Sequence, residues 1–117
     1  MSFSWPNQSL SHEDTRKALR QNILEQIHLA KSGHPGGALS LVEILCALFE
    51  NNFHWSPSEP ESPTRDRFVL SKGHGVPAYY AVLSKLGFFN PAETKNLRQY
   101  SHYLQGHPDR LRFSLME

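Results

Sequence analysis

The sequence predicts an α/β fold that is mostly helical with one short strand. Two observations carry this expectation. Three separate stretches read as helices, the first from apolar residues at helical spacing and the others from their apolar runs, caps and closing glycine. A single short apolar run, Phe68-Val69-Leu70, has the length and composition of a buried strand.

The first stretch is residues 11–32. Ser9 or Ser11 can cap its start, and Glu13 and Asp14 suit the positive end of the helix dipole. Leu19, Ile23, Ile27 and Ala30 form one apolar stripe, and Gly33 stands where a C-terminal glycine is expected. Residues 33–37, Gly-His-Pro-Gly-Gly, read as a loop. A second helix starts near Ser40, where Ser40 and Glu43 have the spacing of a capping box. It runs through Ile44, Leu45, Ala47, Leu48 and Phe49 and is apolar on most faces, so it should be buried.

Residues 51–64 are rich in Pro and Ser and read as an exposed loop. Arg65-Asp66-Arg67 reads as a structural salt-bridge cluster leading into the strand. Ser71-Lys72-Gly73-His74-Gly75 follows, then a third helix over residues 76–85. Pro77 is tolerated in its first turn, and Gly87 closes it. Asn90-Pro91-Ala92-Glu93 has the cap, proline and acid of a short fourth helix. Residues 1–10 and 110–117 read as irregular tails of a single domain spanning 1–117. The lone strand needs partners for its backbone groups, and no second strand is legible.

At 117 residues the chain has room for one small domain. Area scaling gives about 19,000 Å² of surface unfolded and about 6,500 Å² folded. Twelve Lys and Arg against eleven Asp and Glu give a net charge of +1. That balance argues against nucleic-acid binding as the main task. No apolar run is long enough to cross a membrane. Cys46 is the single cysteine, so no intramolecular disulfide forms, and the expected compartment is the reducing cytoplasm. Cys46 sits in an apolar helical run and reads as a small buried hydrophobe.

Three of the seven histidines are flanked by glycine: His34, His74 and His107. Glycine lets backbone approach a ligand closely, and imidazole can donate, accept or carry charge near neutral pH. Gly73-His74-Gly75 also opens a helix, an arrangement that would aim free N–H groups at an anion. It matches neither Gly-x-Gly-x-x-Gly nor a P-loop. Each motif alone is more often a turn or a helix terminus than a site. A histidine metal cluster lacks tight spacing such as His-x-x-x-His. His12, His28, His54 and His102 read as surface or packing residues, and Tyr79-Tyr80 and Phe88-Phe89 as packing aromatics.

Three motifs in order are more specific than any one of them. Ser32-Gly-His-Pro-Gly-Gly37, Arg65-Asp-Arg-Phe-Val-Leu-Ser-Lys-Gly-His-Gly75 and Gln105-Gly-His-Pro-Asp109 together resemble the start of transketolase, from about Ala18 to Asp109. The likeness is greatest to the N-terminal subunit of split transketolases. Deoxyxylulose-phosphate synthases share the cofactor but differ in the first loop.

The resemblance implies the N-terminal fragment of a thiamine-diphosphate-binding domain. It implies two-carbon ketol transfer between sugar phosphates. By this likeness His74, with Gly73 and Gly75, contacts the diphosphate. His34 lies beside the thiazolium and helps proton transfer on the sugar. His107 bonds near the substrate's C1 hydroxyl. The family also uses Mg²⁺, held by a Gly-Asp-Gly motif and a later Asn that this sequence lacks. The implied partners are sugar phosphates, with a C-terminal transketolase subunit or self-association completing the site. The alternative expectation is a non-catalytic truncated remnant or interaction module. In either case the isolated chain is expected to be inactive.

Overall fold

The computed structural model describes Trp5 and residues 11–117; the rest of the 1–10 tail lies outside the described residues. Four α-helices follow in order: α1 (His12–Ala30), α2 (Pro35–Leu39), α3 (Val42–Glu50) and α4 (Val76–Leu86). Two 3-10 segments accompany them, Gly73–Gly75 immediately before α4 and Pro91–Asn96 after it.

Helix α1 starts as its sequence dictates. The Ser11 hydroxyl accepts from the Asp14 N–H at 3.0 Å, and Glu13 and Asp14 occupy the first turn. Its end differs from expectation. Lys31, not Gly33, takes the left-handed position, with φ 57°. Gly33 is required further on, at φ +151°, where a Cβ would lie 2.9 Å from Cγ1 of Ile27.

Helix α4 is the centre of the core. Every residue from Val76 to Ser84 is buried, and α1, α2, α3 and both 3-10 segments pack on it. Leu19 and Ile23 of α1 and Val42, Leu45, Cys46 and Phe49 of α3 supply its apolar neighbours. Gly87, at φ 94°, closes α4 with its N–H bonded to the carbonyls of Leu83 and Ser84. Asn90 caps the following segment through the Ala92 N–H at 2.9 Å, but that segment is 3-10 rather than α.

Three expectations fail on contact with the packing. The Phe68-Val69-Leu70 strand is absent, and the described residues contain no strand at all. No backbone partner lies alongside: among the described residues, the N–H and C=O groups of this segment find no backbone partner, and Val69 is 66% exposed. Extended chain becomes strand only when a neighbour satisfies its backbone. The Ser40 capping box does not form either. Leu41 is the N-cap of α3, the Ser40 hydroxyl is engaged elsewhere, and Glu43 pairs with Arg20 across to α1. Finally, residues 35–37 of the expected 33–37 loop are helical, as the first part of α2 (Pro35–Leu39).

The remaining chain wraps the helices. Residues 110–117 form turns, with Phe113 and Met116 buried. Phe113 packs against Phe89, Tyr103 and Tyr80. Trp5 is buried and donates its indole N–H to Glu50 at 2.7 Å. The radius of gyration, 13.4 Å, is what a packed chain of this length gives. The accessible surface of 6920 Å² is close to the area-scaling value.

Candidate functional site

The three glycine-flanked histidines come from three separate parts of the chain, and the fold brings them side by side. His34 is the N-cap of α2, where Pro35 at the first helical position needs no N–H partner. The Ala38 N–H bonds the His34 carbonyl at 3.1 Å, and Ala38 itself is fully buried, anchoring the short helix. His74 is the middle residue of the Gly73–Gly75 turn that feeds α4. His107 lies in the 105–109 loop, which hangs from α4: the Tyr80 hydroxyl donates to the Gln105 carbonyl at 2.7 Å.

Two glycines are fixed by close approach. A Cβ on Gly75 would fall 2.5 Å from Cδ1 of Leu41 and 3.3 Å from the Gly37 carbonyl oxygen, so its absence lets α2 dock on the turn. A Cβ on Gly73 would fall 2.8 Å from Nδ1 of His107. The result is a row of rings. His34 and His74 meet edge to face with centroids 4.3 Å apart, and His74 and His107 do the same at 4.2 Å. All three residues are exposed. His12, His28 and His54 are exposed and take no part in this row. His102 stacks on Tyr103 and approaches Glu93 at 3.4 Å, a packing role.

Beside the row lies a cleft of about 440 Å³. Phe68, Leu70, Tyr79 and Met116 give it apolar walls, and His74, His107 and Glu117 give it polar ones. Glu117 is held by Arg65 at 3.0 Å and faces Arg67 at 3.6 Å, while the Asp66 carboxylate accepts the His54 N–H at 2.7 Å. The Arg-Asp-Arg run is thus a structural brace. Burial pushes the Tyr79 and Tyr80 phenols up, so both stay protonated. They are donors and packing groups, not bases.

The turn offers an anion fewer free backbone N–H groups than expected: among the described residues only that of His74 has no acceptor. The Gly73 N–H bonds the Ser71 carbonyl, that of Gly75 bonds Lys72, and that of Val76 bonds Gly73. A 3-10 turn running straight into α4 satisfies these donors internally. Beside the His74 N–H, the donors on this face are side chains: the three imidazoles and the exposed Lys72 ammonium, a residue the glycine–histidine pattern does not single out. Lys72 Nζ rests 2.6 Å from the Ser40 hydroxyl. Its position directly before Gly73-His74 is the signal that could have found it. This donor set suits a phosphate or diphosphate. Among the described residues, no group of three His, Cys, Asp or Glu side chains is placed to hold a metal ion.

Comparison with known proteins fits this geometry. The family described as transketolase, thiamine diphosphate binding domain, matches residues 11–116. The match therefore runs beyond Asp109 into the 110–117 tail. Human transketolase is 43% identical over 96 residues, which are 82% of this chain and 15% of that protein. A subunit of apulose-4-phosphate transketolase from Phocaeicola vulgatus is 40% identical over 89 residues, 76% of this chain and 32% of that one. A solved transketolase from Leishmania mexicana shares the fold with a TM-score of 0.82 at 30% identity, covering 88% of this chain and 16% of that structure. The chain thus spans well under half the length of these relatives. Since the match takes in nearly all the described residues and the fold agrees with a solved example, this chain belongs to the transketolase thiamine diphosphate binding domain family.

Proposed function

We propose that this chain supplies the diphosphate- and substrate-contacting histidines of a thiamine-diphosphate-dependent ketol transfer between sugar phosphates. The single observation that carries the reading is the His34–His74–His107 row, assembled from three loops on one open face. Thiamine diphosphate, when bound, supplies the nucleophilic carbon and electron sink for moving a two-carbon unit. The chain's own residues then have distinct tasks. His74, central in the row and flanked by Gly73 and Gly75, donates to the diphosphate. His34 and His107, on either side of it, hold and move protons at the sugar hydroxyls. Exposed imidazoles can do both. The apolar walls of Phe68, Leu70 and Tyr79 exclude water from one side of the face.

Magnesium and the rest of the site would come from a partner. The described residues offer no metal-holding group, and the Phocaeicola relative bears the name of a subunit. The C-terminal half of a split transketolase is the partner of the right chemistry, and a reducing cytoplasm suits the lone buried Cys46. The alternative is a non-catalytic interaction module. One feature favours it: the extended Phe68-Val69-Leu70 segment carries backbone without a backbone partner among the described residues, and an exposed Val69.

The two readings separate in one experiment. The chain is purified together with whatever associates with it and assayed for transfer from a ketose phosphate to an aldose phosphate. Activity of the complex, lost in His74→Ala and absent from the chain alone, supports the enzyme reading. A stable complex without transfer activity overturns it in favour of the interaction module.

A further inference from the structure

We propose that Lys72 is a positioning residue: it locks α2 against the Gly73–Gly75 turn and so sets the contact between His34 and His74. Helix α2 has five residues, Pro-Gly-Gly-Ala-Leu, and cannot be stable by itself. Its position is dictated by what holds it. His34 is its N-cap and makes no side-chain cap bond, so the ring goes where α2 goes.

Lys72 provides a hold that spans both histidine-bearing elements. It directly precedes the turn carrying His74, and its ammonium donates to the Ser40 hydroxyl, at the far end of α2, at 2.6 Å. The Ser40 hydroxyl in turn donates to the Gly37 carbonyl inside α2 at 3.0 Å. The chain Lys72–Ser40–Gly37 therefore runs from one element into the backbone of the other. The lysine stem runs over Gly37 of α2: a Cβ added there would sit 3.5 Å from Cε of Lys72, an ordinary contact that does not require glycine. On the other side, Gly75 admits Leu41 and the Gly37 carbonyl. The polar clamp and this apolar dock fix α2 from two directions. A serine and a lysine here act together, which explains why Ser40 is not spent on capping α3.

The relevance of this clamp to a diphosphate face rests on the function proposed above, but the positioning itself needs no ligand. It is tested on the ligand-free chain by the imidazole Cε1–H resonances of His34, His74, His107 and His102. In Lys72→Met and in Ser40→Ala, the ring-current shift that His74 imposes on His34 should be lost. The His74–His107 shift should remain, and His102, packed on Tyr103, should not move. Lys72→Arg, which can still donate to Ser40, should restore His34. An unchanged His34 in both variants overturns the proposal. So does a change that reaches His102, because the lysine would then serve general folding. Failure of the chain to bind thiamine diphosphate would remove the proposed function and leave this result standing.

Discussion

Replacing Gly73 by Ala should disturb the histidine row while leaving the fold nearly intact. The new Cβ would stand 2.8 Å from Nδ1 of His107, 3.3 Å from its Cγ and 3.4 Å from its Cε1. Comfortable contact needs about 3.5 Å, so the ring must retreat by roughly 0.7 Å. His107 is exposed and can swing away. The loss is one edge-to-face contact, about 0.5–1.5 kcal/mol. Reduced freedom of the unfolded chain returns about 0.4–1 kcal/mol. The net change should stay within about 1 kcal/mol by urea unfolding. The His107 resonance should nevertheless lose its shift from His74. Gly75→Ala is the contrast. Its Cβ would strike the buried Leu41 and the Gly37 backbone oxygen, neither of which can leave, so about 1–3 kcal/mol should be lost. The reasoning fails if Gly73→Ala proves as destabilising as Gly75→Ala, or if His107 keeps its shift.

Other consequences follow from groups away from the row. Glu50 is pushed up by burial, but its bonds from Arg16 at 2.7 Å and Trp5 at 2.7 Å hold it below the ordinary carboxylate range. A depressed folded value means that its stabilisation is present above the unfolded value of about 4.3 and lost as pH falls through the lower folded value. Unfolding scans of Glu50→Gln should therefore lack this share of the acid destabilisation seen in the parent chain below about pH 4.3. Tyr80→Phe removes the bond to the Gln105 carbonyl and should cost about 1 kcal/mol by urea unfolding, with hydrogen exchange rising in the 105–109 loop. Burial pushes the Cys46 thiol up to about 11, and the residue is fully enclosed. It should resist a thiol reagent at neutral pH in the folded chain and react on addition of denaturant.

Local signals in the sequence were legible where packing agreed with them. Ser11 caps α1, and Gly87 ends α4, because each bonds only to its own helix. They failed where a distant group competed. Ser40 and Glu43 have the spacing of a capping box, yet Lys72 takes the serine and Arg20 takes the glutamate. Pro-Gly-Gly-Ala-Leu has poor helix propensity, but docking of Ala38 and Leu41 on the core overrides it. Phe68-Val69-Leu70 has strand composition, but composition cannot supply a neighbouring strand. The same division holds for the site. Flanking glycines mark out His34, His74 and His107 in the sequence. Their adjacency comes from α2, the turn and the Tyr80-tethered loop, which only the fold brings together. The expectation of free N–H groups at Gly73–Gly75 failed for the two glycines, whose N–H groups local carbonyls take, and leaves only that of His74.

The central claim is that the histidine row receives a diphosphate. Titration of the chain with thiamine diphosphate and Mg²⁺, followed through the imidazole resonances, tests it most directly. Saturable shifts at His74 and its two neighbours, abolished in His74→Ala and absent at His102, are the predicted result. Unmoved resonances at millimolar ligand, both in the chain and in its complex with a partner, would contradict it.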